Sequence, residues 1–82
     1  MDIVKGSVVK AKAGRDKDDF FVVVETDSEY AMICNGKQRP VEKPKRKKLK
    51  HLSATKTVVD VSSMSTNREI KKALSAFINA QG

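Results

Sequence analysis

Tryptophan is absent from this 82-residue chain, and the remaining aromatics are three Phe and one Tyr. Phe20, Phe21 and Phe77 are most economically placed in a core, which leaves few rings for stacking the bases of a single strand. One Cys cannot form an internal disulfide, and with one His it cannot supply the four ligands of a structural zinc site. Cys34 lies in the apolar stretch "YAMICN" and reads as a buried thiol acting as a small hydrophobe. Long hydrophobic runs are missing too. The longest, "FFVVV", is far short of the roughly 20 apolar residues of a membrane-spanning helix. The opening "MDIVKGSV" lacks a signal peptide's apolar stretch, so the expectation is a cytoplasmic protein with no membrane partner. Catalytic sets are likewise missing. "DKDD" is the only carboxylate cluster, and it lacks the Gly and closing Glu of a calcium loop. No Ser, His and Asp or Cys and His set stands at motif spacing. The chain is therefore expected not to be an enzyme and to need no metal or cofactor.

What is present is charge, concentrated in one place. Hydrophobic residues make up 39% and charged residues 33%, a balance that suits one folded domain over residues 1–82. The net charge is +7. Residues 37 to 51 hold eight Lys or Arg against Glu42 alone, while the rest of the chain has nine basic and nine acidic residues. The whole excess thus lies in one segment, as expected of a polyanion-binding surface, and nucleic acid is the implied partner.

The pattern along the chain is mostly that of strands. "GSVVKAKAG" alternates Val9, Ala11 and Ala13 against Val8, Lys10 and Lys12, a half-buried strand. "AGRDKDD" reads as an exposed loop, and "FFVVVE", apolar on both faces, as a central strand. "TDSE" is a turn and "YAMIC" a strand. Asn35 and Gly36 then signal a type I′ hairpin. The strand leaving it should pair with "YAMIC" up to about Lys43, where Pro44 removes a backbone donor and confines further pairing to an edge. Lys43, Lys45 and Lys47 would project to one side. Leu49 and Leu52, one helical turn apart in "LKHL", would pin the far end of the basic segment to the core. "KTVVDV" is one more strand. A helix over 66–80 follows, with Thr66 as N-cap and Glu69 completing a capping box. Its apolar stripe is Ile70, Ala73, Leu74, Phe77 and Ile78, with Arg68, Lys71, Ser75 and Asn79 on or near the opposite face.

"GSVVKAKAGRDKDDFFVVVE" resembles a KOW motif: a Gly opening a strand, a small residue and Gly at a charged loop, then a β-rich strand. The resemblance implies the first hairpin of a small SH3-like β-barrel with the C-terminal helix packed on it, a mainly β fold. "AGRDK" before a "VVV" strand, the basic run ending in "KHL" and the closing "EIKKAL" are similar to the ribosomal protein fourteen family of archaeal and eukaryotic large subunits and to small bacterial KOW proteins. One departure is Asp18, where the family loop commonly has Gly. Asp tolerates a left-handed backbone better than most residues, but Asp18 and Asp19 weaken a phosphate contact beside Lys17 and leave Arg15 the stronger ligand.

The resemblance implies binding to structured RNA, namely large-subunit ribosomal RNA, by a protein that is monomeric off the ribosome. Lysine-rich surfaces read phosphate geometry and not base identity. The candidate RNA-binding residues are Arg15, Lys17, Lys43, Lys45, Arg46, Lys47, Lys48, Lys50 and His51. Gly6, Gly14, Asn35 and Gly36 are turn residues set by backbone geometry. The alternative is a KOW protein-interaction module acting in transcription or translation regulation, since SH3-like barrels also bind proteins.

Overall fold

The computed structural model describes residues 2–81. Five strands, β1 (Ser7–Ala11), β2 (Phe20–Thr26), β3 (Tyr30–Cys34), β4 (Lys45–Lys48) and β5 (Leu52–Val58), precede a helix, α1 (Asn67–Gln81). They form one antiparallel sheet in the order β4-β3-β2-β1-β5. The fold is mainly β, with "FFVVVE" as the central strand. Among the described residues no helix is long and apolar enough to cross a membrane.

Alternation along the strands sends apolar side chains to both faces, and both are covered. Val8, Val22 and Cys34 pack beneath α1 with Ile70, Leu74 and Phe77, joined by Val61 from the connecting segment. Val9, Ala11, Phe21, Val23, Ala31, Ile33 and Leu52 form the second cluster, with Leu49 against it. The first strand is therefore not half-buried as the alternation of Lys10 and Lys12 suggested. Val8 and Val9 are equally buried, because α1 covers the face that Val8 presents.

Among the described residues α1 contributes nothing to the second cluster, which the curl of the sheet covers. β4 and β5 are its two edges, yet only the 3₁₀ turn Leu49–His51 separates them in sequence. Laid flat, four interstrand spacings would hold the edges about 19 Å apart. Three residues of 3₁₀ helix rise only about 6 Å. Two hydrogen bonds anchor the turn to both sides of the sheet: Leu49 N–H donates to the carbonyl of Glu29 (2.9 Å), just before β3, and Lys12 N–H, just after β1, donates to the His51 carbonyl (2.8 Å). Irregularities between Ser7 and Val9 and between Val23 and Glu25 supply the bends. Among the described residues β4 and β5 do not pair, so the sheet is curled and open.

The helix starts where its cap dictates. Thr66 Oγ1 accepts the Glu69 N–H (3.3 Å), and the Glu69 carboxylate reaches back to Thr66 Oγ1 (3.0 Å) and the Ser65 N–H (3.2 Å). Phe77 meets Phe20 edge-on, with ring centroids 5.1 Å apart, a contact worth about 0.5–1.5 kcal/mol beyond its buried area. Ile78, which the helical spacing put on the packed stripe, is exposed.

The β3–β4 connection departs from the expected hairpin. Gly36 has φ +78°, but Asn35 is not left-handed, so the turn is not type I′. Asn35 Oδ1 instead accepts the N–H groups of Lys37 (2.9 Å) and Arg39 (3.1 Å), closing a wider loop. Residues 40–43 are then drawn toward the helix. Asn67 Oδ1 accepts the Val41 N–H (2.7 Å), and Asn67 Nδ2 donates to Glu42 (2.7 Å). Pairing with β3 consequently begins after Pro44, not before it. Lys45 to Lys48 form the edge strand and Lys43 lies outside it.

Candidate nucleic-acid interface

The candidate surface is built from two segments distant in sequence, the loop 12–19 and the run 43–51. In the loop, Asp18 is the non-glycine residue at positive φ (+72°), at the position where the KOW resemblance expects Gly. Its N–H donates to the Ala11 carbonyl (2.8 Å), and the Asp19 carbonyl accepts the Ala11 N–H (3.0 Å). Asp16 does not share the exposure expected of this loop. It is buried at 8% exposure, and its carboxylate pairs with Arg39 Nη2 at 3.1 Å. Arg15 and Lys17, on either side of Asp16, are exposed. The pair ties the 12–19 loop to the 35–44 loop. Arg39, counted among the basic excess, is thereby committed to holding the fold together.

β4 divides its side chains between two sides. Lys45 and Lys47 stand opposite Ile33 and Ala31, on the side of the second core cluster, and Arg46 and Lys48 stand opposite Met32 and Tyr30. Lys47 is half-buried, and its Nζ donates to the Ala13 carbonyl at 2.8 Å, spanning from the sheet edge to the loop. Gly14 permits that approach: a Cβ there would lie 3.3 Å from Lys47 Nζ, and the φ of +82° disfavours any other residue. Arg46 is exposed and lies over the Tyr30 ring, its guanidinium carbon 3.7 Å from the centroid. Lys48 and Lys50 are exposed beside Glu29. His51 is half-buried, and its backbone carbonyl receives Lys12.

The nine candidates are therefore not one uniform patch. Lys47 ties the loop that carries Arg15 and Lys17 to the strand that carries Lys45. The 3₁₀ turn sets Lys50 and His51 beside Lys12, an exposed lysine that sequence reading left out although it flanks the loop in "KAKAG". Arg46 shares its side of the sheet with Glu25 and Asp27. The N–H groups of Glu29 and Tyr30, each 2.8 Å from Asp27 Oδ1, hold the Asp27 carboxyl below its ordinary value. Lys43 is exposed on the helix-anchored loop before β4.

No family model matches the chain, and no curated protein matches it.

Burial, aided by the charge of Glu42, pushes the Cys34 thiol up to about 11, opposite to what a thiolate nucleophile or metal ligand requires. Among the described residues no three His, Cys, Asp or Glu side chains gather as a metal site would need.

Proposed function

We propose that this chain binds structured RNA by its phosphate backbone, as a KOW-type module of the small SH3-like barrel kind, acting on large-subunit ribosomal RNA as a component of the ribosome or a factor associated with it. The contact between Lys47 Nζ and the Ala13 carbonyl carries the reading. It holds the loop bearing Arg15 and Lys17 against the basic edge strand, which supports reading these cations, some thirty positions apart in sequence, as parts of one phosphate-binding surface. The barrel reading is supported by the sharp curl and by the short turn joining the two sheet edges. Arg15 can take a phosphate bidentately, and Lys17, Lys43, Lys45 and Lys50 act as point charges.

The test is a salt titration of binding to a short RNA duplex. Each phosphate contact contributes roughly 0.7–0.9 to the slope of log affinity against log salt. Five contacts predict a slope of about −4, with displacement by other polyanions. A duplex of the same sequence in DNA should bind more weakly if the A-form groove is recognised. A slope near zero, with binding instead to a protein partner, would sink the reading. In a native lysate the protein should sediment with the large subunit, and sedimentation away from it even at low salt would remove the ribosomal assignment.

A further inference from the structure

Resting on the RNA reading above, we propose a second site on the opposite side of β4: a platform for one unpaired nucleobase, a guanine in particular, formed by Arg46 lying on Tyr30. The guanidinium carbon lies 3.7 Å from the ring centroid, within stacking distance of the ring face. Arg46 is exposed and so within reach of a ligand. Guanidinium planes and aromatic rings are the surfaces on which unstacked RNA bases settle.

The platform borders a depression of about 250 Å³ lined by Glu25, Thr26, Asp27, Tyr30, Met32 and Arg46. Two carboxylates on its rim disfavour a phosphate here, which separates this site chemically from the lysine surface. They suit a base that presents donors. Asp27 receives the Glu29 and Tyr30 N–H groups on Oδ1. Its second oxygen can accept one further hydrogen bond, from the N1–H that guanine carries and adenine lacks. Glu25 is engaged with Lys5 at 3.5 Å, so Asp27 is the reading group. A cationic peptide side chain fits less well, because Arg46 already occupies the ring face it would stack on.

The experiment compares three fluorescent RNAs: a fully paired duplex, the same duplex with a single guanosine bulge, and the duplex with an abasic residue at the bulge. Wild-type protein should prefer the guanosine bulge to the abasic one by about 5- to 150-fold, the range expected of one stacked base. Arg46→Lys keeps the charge and removes the plane. It should abolish that preference while leaving affinity for the paired duplex within about two-fold. Asp27→Asn should lower the preference for guanosine over adenosine at the bulge. Tyr30→Leu should behave as Arg46→Lys, and because Tyr30 is half-buried the exposed Arg46 variant carries the test if the other fails to fold. Equal wild-type affinity for guanosine and abasic bulges, with the duplex still bound, overturns the platform alone. Retention of the preference by Arg46→Lys does the same. Failure to bind any of the three RNAs overturns the RNA reading and the platform with it. Binding of an arginine-rich peptide that Asp27→Asn abolishes, without any bulge preference, replaces the nucleobase with a protein partner.

Discussion

Lys47 and Lys45 sit two residues apart on one side of the same strand, and replacing each should have different consequences. Lys47 spends a donor on the Ala13 carbonyl, whereas Lys45 is exposed. A hydrogen bond from a charged donor contributes about 1.5–3 kcal/mol when shielded. Lys47 is half-buried and water competes for its ammonium, which reduces the figure to about 1 kcal/mol. Lys47→Met keeps the apolar stem and removes the donor, so the melting temperature should fall by roughly 4–8 °C. Lys45→Gln should leave stability within about 0.5 kcal/mol and lower the salt slope of RNA binding by about 0.9. The strut also couples to the loop it holds. Arg15→Gln should weaken RNA binding less in the Lys47→Met background than in wild type, while Arg15→Gln and Lys45→Gln should combine additively. Urea melts and salt titrations on the single and double variants measure all of this. If Lys47→Met melts like wild type and its effect adds to that of Arg15→Gln, Lys47 is only another surface cation and the strut is wrong.

Gly36→Ala would set a Cβ 2.6 Å from the Asn67 carbonyl oxygen and 2.8 Å from Lys71 Cγ at a φ of +78°. The left-handed backbone alone costs about 1–2 kcal/mol, so a loss of at least that size is expected in urea unfolding, and a neutral result would contradict the described contact between loop and helix. Ile70 is fully buried between α1 and the sheet. Ile70→Ala should cost about 2–5 kcal/mol, read by circular dichroism melts. Cys34, raised from 9.0 to about 11, keeps its proton in the fold where the unfolded chain would release it. Its contribution to stability is therefore intact below pH 9 and lost as pH rises toward 11. Cys34→Val should show a smaller fall across that window, and labelling by a thiol reagent should require denaturant.

Much of the fold was legible because the chain's patterns are local. "FFVVVE" announces a strand covered on both sides, and the Thr66–Glu69 box marks the helix start to the residue. The two leucines of "LKHL" announce a folded basic segment, and Leu49 and Leu52 do join the second core cluster. What misled were residues whose partners lie far along the chain. Asn35-Gly36 looks like a hairpin turn, but Asn67, more than thirty positions later, draws Val41 and Glu42 to the helix and delays pairing until Pro44 has passed. Asp16 in a run of charges looks solvated until Arg39 is found beside it. The division of the basic strand into a lysine side and an arginine side follows from register, which charge counting does not contain.

The 3₁₀ turn that joins the two edges of the sheet also sets an order of events in the chain's life. β1 is synthesised first, but its partner β5 is synthesised last among the strands, with Ala11 opposite Leu52 and Ser7 opposite Val58. The other face of the same strand waits longer still, until Ile70, Leu74 and Phe77 have been added. A nascent chain ending near residue 48 would hold three hairpin-connected strands and a basic fourth with apolar side chains bare on both faces, the condition under which incomplete chains adhere to one another. The cationic run then emerges before the residues that finish the core, so the growing protein carries its charge at the moment its hydrophobic surface is most open.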